Sequence, residues 1–395
     1  MSWAGKVNSG TVSRRRSRVG SAWRPSTGAA VVVILAAAGL SACGSSSPSS
    51  AGAAGSASSS TAACTTAATK AAATAANPAS AVVPYAPVDL SKYKGKSVFF
   101  VADSLSVALD VQTAASFKAA ATAAGLVPHV LGGDGTPAGD VQVMQEAIAQ
   151  KPVGIVVHAI DADGIQSELK TAAADHIAVI GDQVPGFAQG YVNQDYSQMG
   201  KALADEALAV TSCKTDILLF TISSFANLRL YQAAAQAEVS KLCGSACKVT
   251  VAQVDLTSIE QSVSSQTRSA IITDSNLKAI ISCCDSFSSF MVSAVQAAGK
   301  SSQVKVVTFQ GLSALLDDVK NGDVAVADGS GPPPAVEGWI DLDQLGHAIA
   351  AQPPVTQYET EGSVLATKEN VAQLSPLFGY NGYQSKFLSA WSISS

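Results

Sequence analysis

The chain has 395 residues, 47% of them hydrophobic, with 25 basic against 30 acidic side chains and a net charge of −5. Residues 1–42 hold six of the basic residues and none of the acidic ones, so residues 43–395 carry 19 basic against 30 acidic, a net −11. An acidic chain of this kind excludes DNA and RNA as partners, because phosphate binding needs clustered Lys and Arg, and its length allows two domains of ordinary size.

Lys6, Arg14, Arg15, Arg16, Arg18 and Arg24 precede an apolar run at 29–40. That run has the length of a signal-peptide core and is too short to span a bilayer comfortably. It ends in Leu40-Ser41-Ala42-Cys43, which resembles the bacterial lipoprotein signal. The resemblance implies that 1–42 is removed and that Cys43 becomes a lipidated first residue at the outer face of the cytoplasmic membrane. Ser13-Arg14-Arg15 is a trace of a twin-arginine export signal, without apolar residues close behind it. No later segment reaches 18 consecutive apolar residues, so lipid on Cys43 would be the sole anchor. Residues 43–93 are dominated at first by Ser, Ala, Thr and Gly, and this composition predicts a disordered stalk that buries too little to repay its ordering entropy.

From Lys94 onward strands and helices alternate. Strand patterns fall at 97–102, 126–131, 154–160, 176–180 and, briefly, 191–193. Helical patterns fall at 107–124, 141–150 and 164–174. The rhythm restarts with strands at 215–220, 248–254, 278–282, 304–309 and 324–327, and helices at 228–242, 259–269, 287–298 and 313–321. This rhythm predicts two doubly wound α/β lobes, each a Rossmann-like parallel sheet covered on both faces by helices. Ligands of such sheets sit off the carboxyl ends of the strands, which places a cleft between the lobes.

The ordered set of strand-end residues resembles the type I periplasmic solute-binding proteins, in the sugar-binding branch related to ribose and galactose receptors, over 94–395. The polar loop after the first strand is Asp103-Ser104-Leu105-Ser106, and the aspartate after the fourth is Asp182, followed by Gln183. The first interlobe crossing reads Asn193-Gln194-Asp195-Tyr196, with Gly200 beyond it. In the second lobe the family's arginine maps to Arg229, its Asn-Asp to Cys284-Asp285, its Phe-Asp-Gly to Phe309-Gln310-Gly311, and its second-crossing polar residue to Asp328. Gln310 and Cys284 depart from the family residues, and Leu105 and Val107 stand where aromatic residues usually follow the first strand. Stacking then falls to Tyr196, Phe225, Phe287 or Trp339. The resemblance implies a ligand site of Ser104, Ser106, Asp182, Gln183, Asp195, Tyr196, Phe225, Arg229, Asp285, Gln310 and Asp328. Asp182 and Asp195 also read as turn or capping residues, and Arg229 as a surface helix residue. It further implies a first lobe of 94–195 plus 329–357 and a second of 196–328 plus 358–395, with the helix at 335–350 packing back on the first lobe and a late strand at 362–367 in the second.

Seven cysteines lie in a compartment that permits disulfides. Cys213 and Cys247 start neighbouring strands, so a bond from Cys213 to Cys247 or to nearby Cys243 is expected, and adjacent Cys283 and Cys284 are expected to be free thiols. Gly133-Asp134-Gly135-Thr136-Pro137-Ala138 loosely matches a phosphate loop but comes after the second strand and carries a proline. His129, His158, His176 and His347 have no metal-ligand spacing, and Asp161 with Asp163 reads as helix capping. The sequence therefore points to a non-enzymatic, cofactor-free and metal-free receptor. It is monomeric, delivers a sugar or similar small polar solute to the permease of an ABC importer, and works by lobe closure. Two alternatives share the sequence features: a ligand sensor for a membrane signalling partner, and an extracytoplasmic α/β enzyme using the interlobe carboxylates.

Overall fold

A computed structural model describes residues 52–77, 85–360, 363–374, 378 and 380–393. The expected signal peptide at 1–42 and the expected lipidation site at Cys43 lie outside the described residues. An N-terminal helix, α1 (Gly52–Ala75), precedes the first lobe. That lobe contains β1 (Ser97–Ala102), α2 (Ala108–Ala123), β2 (Val127–Gly132), α3 (Pro137–Ala149), β3 (Gly154–His158), α4 (Gln166–Ala174), β4 (Ala178–Asp182) and β5 (Tyr191–Val192). The second contains α5 (Tyr196–Val210), β6 (Asp216–Thr221), α6 (Ala226–Cys243), β7 (Val249–Gln253), α7 (Ile259–Thr273), β8 (Leu277–Ile281), α8 (Asp285–Ala297), β9 (Lys305–Phe309), α9 (Ser313–Asn321) and β10 (Ala325–Ser330). The chain then recrosses for α10 (Pro334–Ile349), returns for β11 (Val364–Thr367) and α11 (Val371–Leu374), and ends in α12 (Tyr383–Ala390).

The first sheet has the order β2-β1-β3-β4-β5, all parallel, and the second the order β11-β10-β9-β8-β6-β7, in which β11 is antiparallel to its neighbour and the other pairs are parallel. Apart from β11, both sheets run 2-1-3-4-5 in the order of their own strands, which puts a switch point between the first and third strand of each. Strands such as Ser97–Ala102 and Gly154–His158 are buried on both faces, as parallel sheets with two helical layers require. Two glycines let helices approach at backbone distance: a Cβ at Gly200 would strike the Tyr231 carbonyl on α6, and one at Gly338 would strike the Phe117 backbone on α2. The loop at 133–138 is a helix start. Thr136 caps α3 by accepting from the Gly139 N–H at 3.1 Å, and Pro137 takes the first helical position, where its missing N–H loses nothing.

Three expectations are corrected. First, part of the expected disordered stalk is helix α1, docked on α5 and α6 of the second lobe. Cys64, Ala68 and Ala72 form its buried stripe at helical spacing, and Asn370 Nδ2 donates 2.7 Å to the Ala76 carbonyl at its end. Alanine is the best helix former, and tertiary packing supplies what a weakly amphipathic segment lacks alone. The stalk expectation also fails near the first lobe, where Val88 and Leu90 are buried and their N–H groups donate to the Ala390 and Trp391 carbonyls. Second, Cys213 bonds Cys64, with Cα atoms 6.2 Å apart, and Cys243 bonds Cys247. A stretch whose composition reads as unstructured offers no fixed position for a disulfide partner, which is why the sequence alone does not point to Cys64. Cys283 and Cys284 are free and buried.

Third, the C-terminal segment assigned to the second lobe divides. β11 pairs with β10 there, but α12 and Trp391 pack on α10 of the first lobe. Trp391 stacks on Trp339 with ring centroids 5.4 Å apart and donates from Nε1 to Asp343 Oδ1 at 2.6 Å. Burying two indoles against an already buried helix outweighs continuity with β11.

The Cys64–Cys213 bond joins residues 149 apart in sequence. Cys64→Ser is expected to lower unfolding stability by about 2–4 kcal/mol, read as a lower denaturant midpoint, and to expose 52–77 to protease. An unchanged midpoint and protection pattern would show that packing alone holds α1.

Candidate functional site

The carboxyl ends of the two sheets face each other, and the loops leaving β1, β3 and β4 meet those leaving β6, β8 and β9. Between them lies a cavity of ≈ 20 Å³, room for about one water molecule. The first lobe lines it with Val107, Leu109, Asp110, Ala159 and Gln183, and the second with Tyr196, Phe225, Asn227, Leu228, Cys284, Phe309 and Gln310. Val107 and Leu109 belong to the same apolar cluster as Phe225, Leu228 and Phe309, so the lobes are closed on each other by hydrophobic contact.

Gln183 stands just after β4 with φ 64°, left-handed for a residue with a Cβ. Its Oε1 accepts from Tyr196 Oη at 2.6 Å and from Asn227 Nδ2 at 3.1 Å, both in the second lobe. Its Nε2 donates 3.1 Å to Glu337 Oε1 on α10, and Glu337 Oε2 accepts from Thr113 at 3.0 Å. Burial, and next the charge of Asp182, push Glu337 up to about 8, so it sits protonated below that pH.

Behind this row, His158 at the end of β3 bridges two buried carboxyls, Asp182 Oδ2 at 2.5 Å from Nδ1 and Asp110 Oδ1 at 3.0 Å from Nε2. Burial alone would depress the imidazole, but the Asp182 charge and the hydrogen bonds to both aspartates outweigh it and hold its pKa well above the ordinary histidine value. As an imidazolium, His158 donates from both nitrogens. Burial raises Asp110 above the usual carboxylate range.

In the second lobe Asp285 and Asp328 form a buttress. Asp285 accepts from Thr308 Oγ1 at 2.9 Å and from the Leu312 N–H at 2.7 Å, while Asp328 Oδ1 accepts from the Gly311 N–H at 3.2 Å. Burial lifts Asp285 to about 7 and, with the Asp285 charge next, lifts Asp328 well above the usual range, so the pair shares a proton. Gln310, with φ 148°, turns its side chain so that Oε1 accepts from the Asp285 N–H at 3.1 Å.

Of the residues expected at the site, the structure brings Gln183, Tyr196, Phe225 and Gln310 to the cavity. Asp182, Asp285 and Asp328 are buried one layer behind it. Four expected residues lie outside the cavity lining. Asp195 is exposed and caps α5, accepting from the Gln198 N–H at 2.9 Å. Arg229, half exposed, donates to the Ser223 and Ser224 carbonyls and ion-pairs across the cleft rim with Asp161 at 3.5 Å; the first turn of α6 turns it outward. Ser104 and Ser106 hydrogen-bond each other at 2.8 Å in the loop after β1 and do not line the cavity. Of the stacking candidates, Phe287 and Trp339 are core. Sequence reasoning misses Asp110, Asn227 and Glu337, which lie on helices where their spacing looks like an ordinary solvated face, and it takes His158 for a structural residue. The usable signal is position: Asp110 and Asn227 sit in first helical turns directly after strand-end loops.

No curated protein sequence matches the chain. Solved structures of the same fold include an ABC transporter solute-binding protein from Agrobacterium vitis with bound allitol (TM-score 0.63, 19% identity, covering 72% of this chain and 99% of that one). A Caulobacter myo-inositol binding protein bound to myo-inositol gives TM-score 0.63 at 20% identity, covering 71% and 96%. A sugar ABC transporter protein from Yersinia enterocolitica gives TM-score 0.67 at 15% identity, covering 78% and 98%. The model of the periplasmic binding protein domain matches residues 98–345, more than half of the chain, and with two lobes of matching topology the chain belongs to the periplasmic binding protein domain family in its type I form.

Proposed function

We propose that the chain is the solute receptor of an ABC importer, that it closes its two lobes over a sugar or similar small polar molecule, and that it releases this molecule unchanged. The observation that carries this reading is the meeting of strand ends from both lobes at one small cavity, where Asp110 and Gln183 face Tyr196, Asn227 and Gln310; its ≈ 20 Å³ is less than a sugar fills, so holding the solute requires the lobes to stand further apart than they do here. A ligand held by both sets of side chains binds the closed state better than the open one, and such differential contact is what drives closure. The ligands of the similar structures, allitol and myo-inositol, are uncharged polyols. The side chains that would contact solute are Asp110, Gln183, Tyr196, Phe225, Asn227 and Gln310, with Asp182, Asp285 and Asp328 as supports and Arg229 as a rim latch to Asp161.

The same reading places the protein outside the cytoplasmic membrane, held by lipid on Cys43. Among the described residues no helix is long and apolar enough to cross a membrane. Cys43→Ser is expected to move the protein from the membrane fraction to the soluble exported fraction; retention in the membrane would remove the lipid anchor from this account.

Binding is tested by thermal unfolding against sugars and polyols, since a ligand of the folded state raises the melting temperature by mass action. Gln183→Ala and Gln310→Ala should abolish the rise, whereas Arg229→Ala should keep most of it. A rise that survives the first two substitutions places the ligand elsewhere.

The cleft also fixes a pH dependence. Glu337 and Asp103 titrate at about 8 and Asp285 at about 7 in the folded chain, each raised chiefly by burial, against about 4 when unfolded. Between about pH 5 and pH 8 the folded state therefore binds more protons than the unfolded one, and stability falls as pH rises. His158 acts in the same direction: its raised pKa contributes stability that is full below about 6.5 and is lost as pH climbs through its folded value. The melting temperature should decline across this window, and less steeply in Glu337→Gln. A melting temperature that climbs toward pH 8 would contradict the protonation pattern of the cleft.

A further inference from the structure

The polar side chains at the cavity are largely spent on the protein itself. Gln183 uses its oxygen on Tyr196 and Asn227 and its nitrogen on Glu337, and Asn227 Oδ1 accepts from the Leu228 N–H at 2.8 Å. Asp110 gives Oδ1 to His158, and Gln310 gives Oε1 to the Asp285 N–H. Asp110 and Gln310 line the cavity from opposite lobes, and these hydrogen bonds leave the second carboxylate oxygen of Asp110 and the carboxamide nitrogen of Gln310 for a ligand. The walls between them are apolar: Val107 and Leu109 from the first lobe, Phe225, Leu228 and Phe309 from the second. Among the described residues no Lys or Arg lines the cavity, since Arg229 is turned to the rim.

A ring hydroxylated on every carbon fits this lining poorly. A hydroxyl pressed against Leu109, Phe225 or Leu228 loses its water and gains no partner, whereas a methyl or methylene at the same place gains contact. An anionic solute would meet Asp110, to which His158 is already committed, and would find no Lys or Arg in the lining to bind it. We infer that the cleft selects an uncharged, amphipathic sugar or polyol, one that is partly deoxygenated or alkyl-substituted, whose apolar edge lies between Leu109 and Phe225–Leu228 and whose remaining hydroxyls reach Asp110 and Gln310. This inference rests on the solute-receptor reading and narrows its ligand class.

The test is calorimetric titration of the full chain with L-fucose, L-rhamnose and deoxyribose, each paired with its fully hydroxylated parent, L-galactose, L-mannose and ribose. At least one deoxy compound should bind about tenfold or more tightly than its parent, the range over which an apolar pocket discriminates a single hydroxyl. Leu228→Asn should shrink that ratio and Asp110→Asn should weaken both members of the pair, with circular dichroism confirming that each variant folds. If the parents bind as well as or better than the deoxy compounds, the amphipathic preference falls and the receptor reading stands. If neither set binds, both fall together.

Discussion

The carboxamide of Gln183 is fastened from both lobes at once, and the closed arrangement depends on it. Tyr196 and Asn227 reach it from the second lobe, while Glu337 receives its N–H on the first. A left-handed backbone at a non-glycine residue costs about 1–2 kcal/mol, and Gln183 keeps φ 64° because these hydrogen bonds over-determine its position. The geometry comes from the sheet: β4 ends at Asp182, and a sharp turn there is what aims the next side chain across the cleft rather than along the strand. Tyr196 is set by the same logic from the other side, since the Asp195 cap starts α5 immediately after the crossing and swings the phenol inward.

Around the cavity, among the described residues, an excess of acid is managed without Lys or Arg in the lining. Glu337, Asp285 and Asp328 are buried where ionisation is costly, and they remain inside because they hold protons or share them. His158 is the exception that needs charge: set between Asp110 and Asp182, it converts two carboxylates that would repel into one hydrogen-bonded row. The acidic cleft is thus less negative than its count of carboxyl groups suggests, which suits an uncharged ligand.

The fold is legible in the sequence because buried parallel strands write themselves as apolar runs such as Ser97–Ala102 and Asp216–Thr221, separated by helices of ordinary length. The site is legible only where a strand end delivers a side chain directly, as at Gln183 and Gln310. Arg229 shows the limit: its sequence position matches a family ligand, but one residue's rotation on α6 separates the cavity, reached by Asn227 and Leu228, from the rim, where Arg229 meets Asp161. Asp110 and Glu337 are hidden for the opposite reason, since a carboxylate on a helix looks solvated until α2 and α10 are known to pack together. Helix α1 is hidden because Ala, Ser and Thr carry almost no amphipathic signal, and only contact with α5 and the Cys64–Cys213 bond reveal its buried stripe.

Docking α1 on the second lobe gives that lobe an element that precedes the whole first lobe in sequence. The chain passes between lobes at 193–195, at 331–333 and after Tyr358, and the Asn193 N–H donates 2.8 Å to the Tyr358 carbonyl, which joins two of these crossings. The two ends of the described chain are divided in the same way: α1 packs on α5 and α6, while α12 and Trp391 pack on α10 and the Tyr85 ring packs on Phe387. The Cys64–Cys213 bond makes the seat of α1 covalent, so a helix with almost no amphipathic signal of its own is fixed to the second lobe as firmly as the helices it covers.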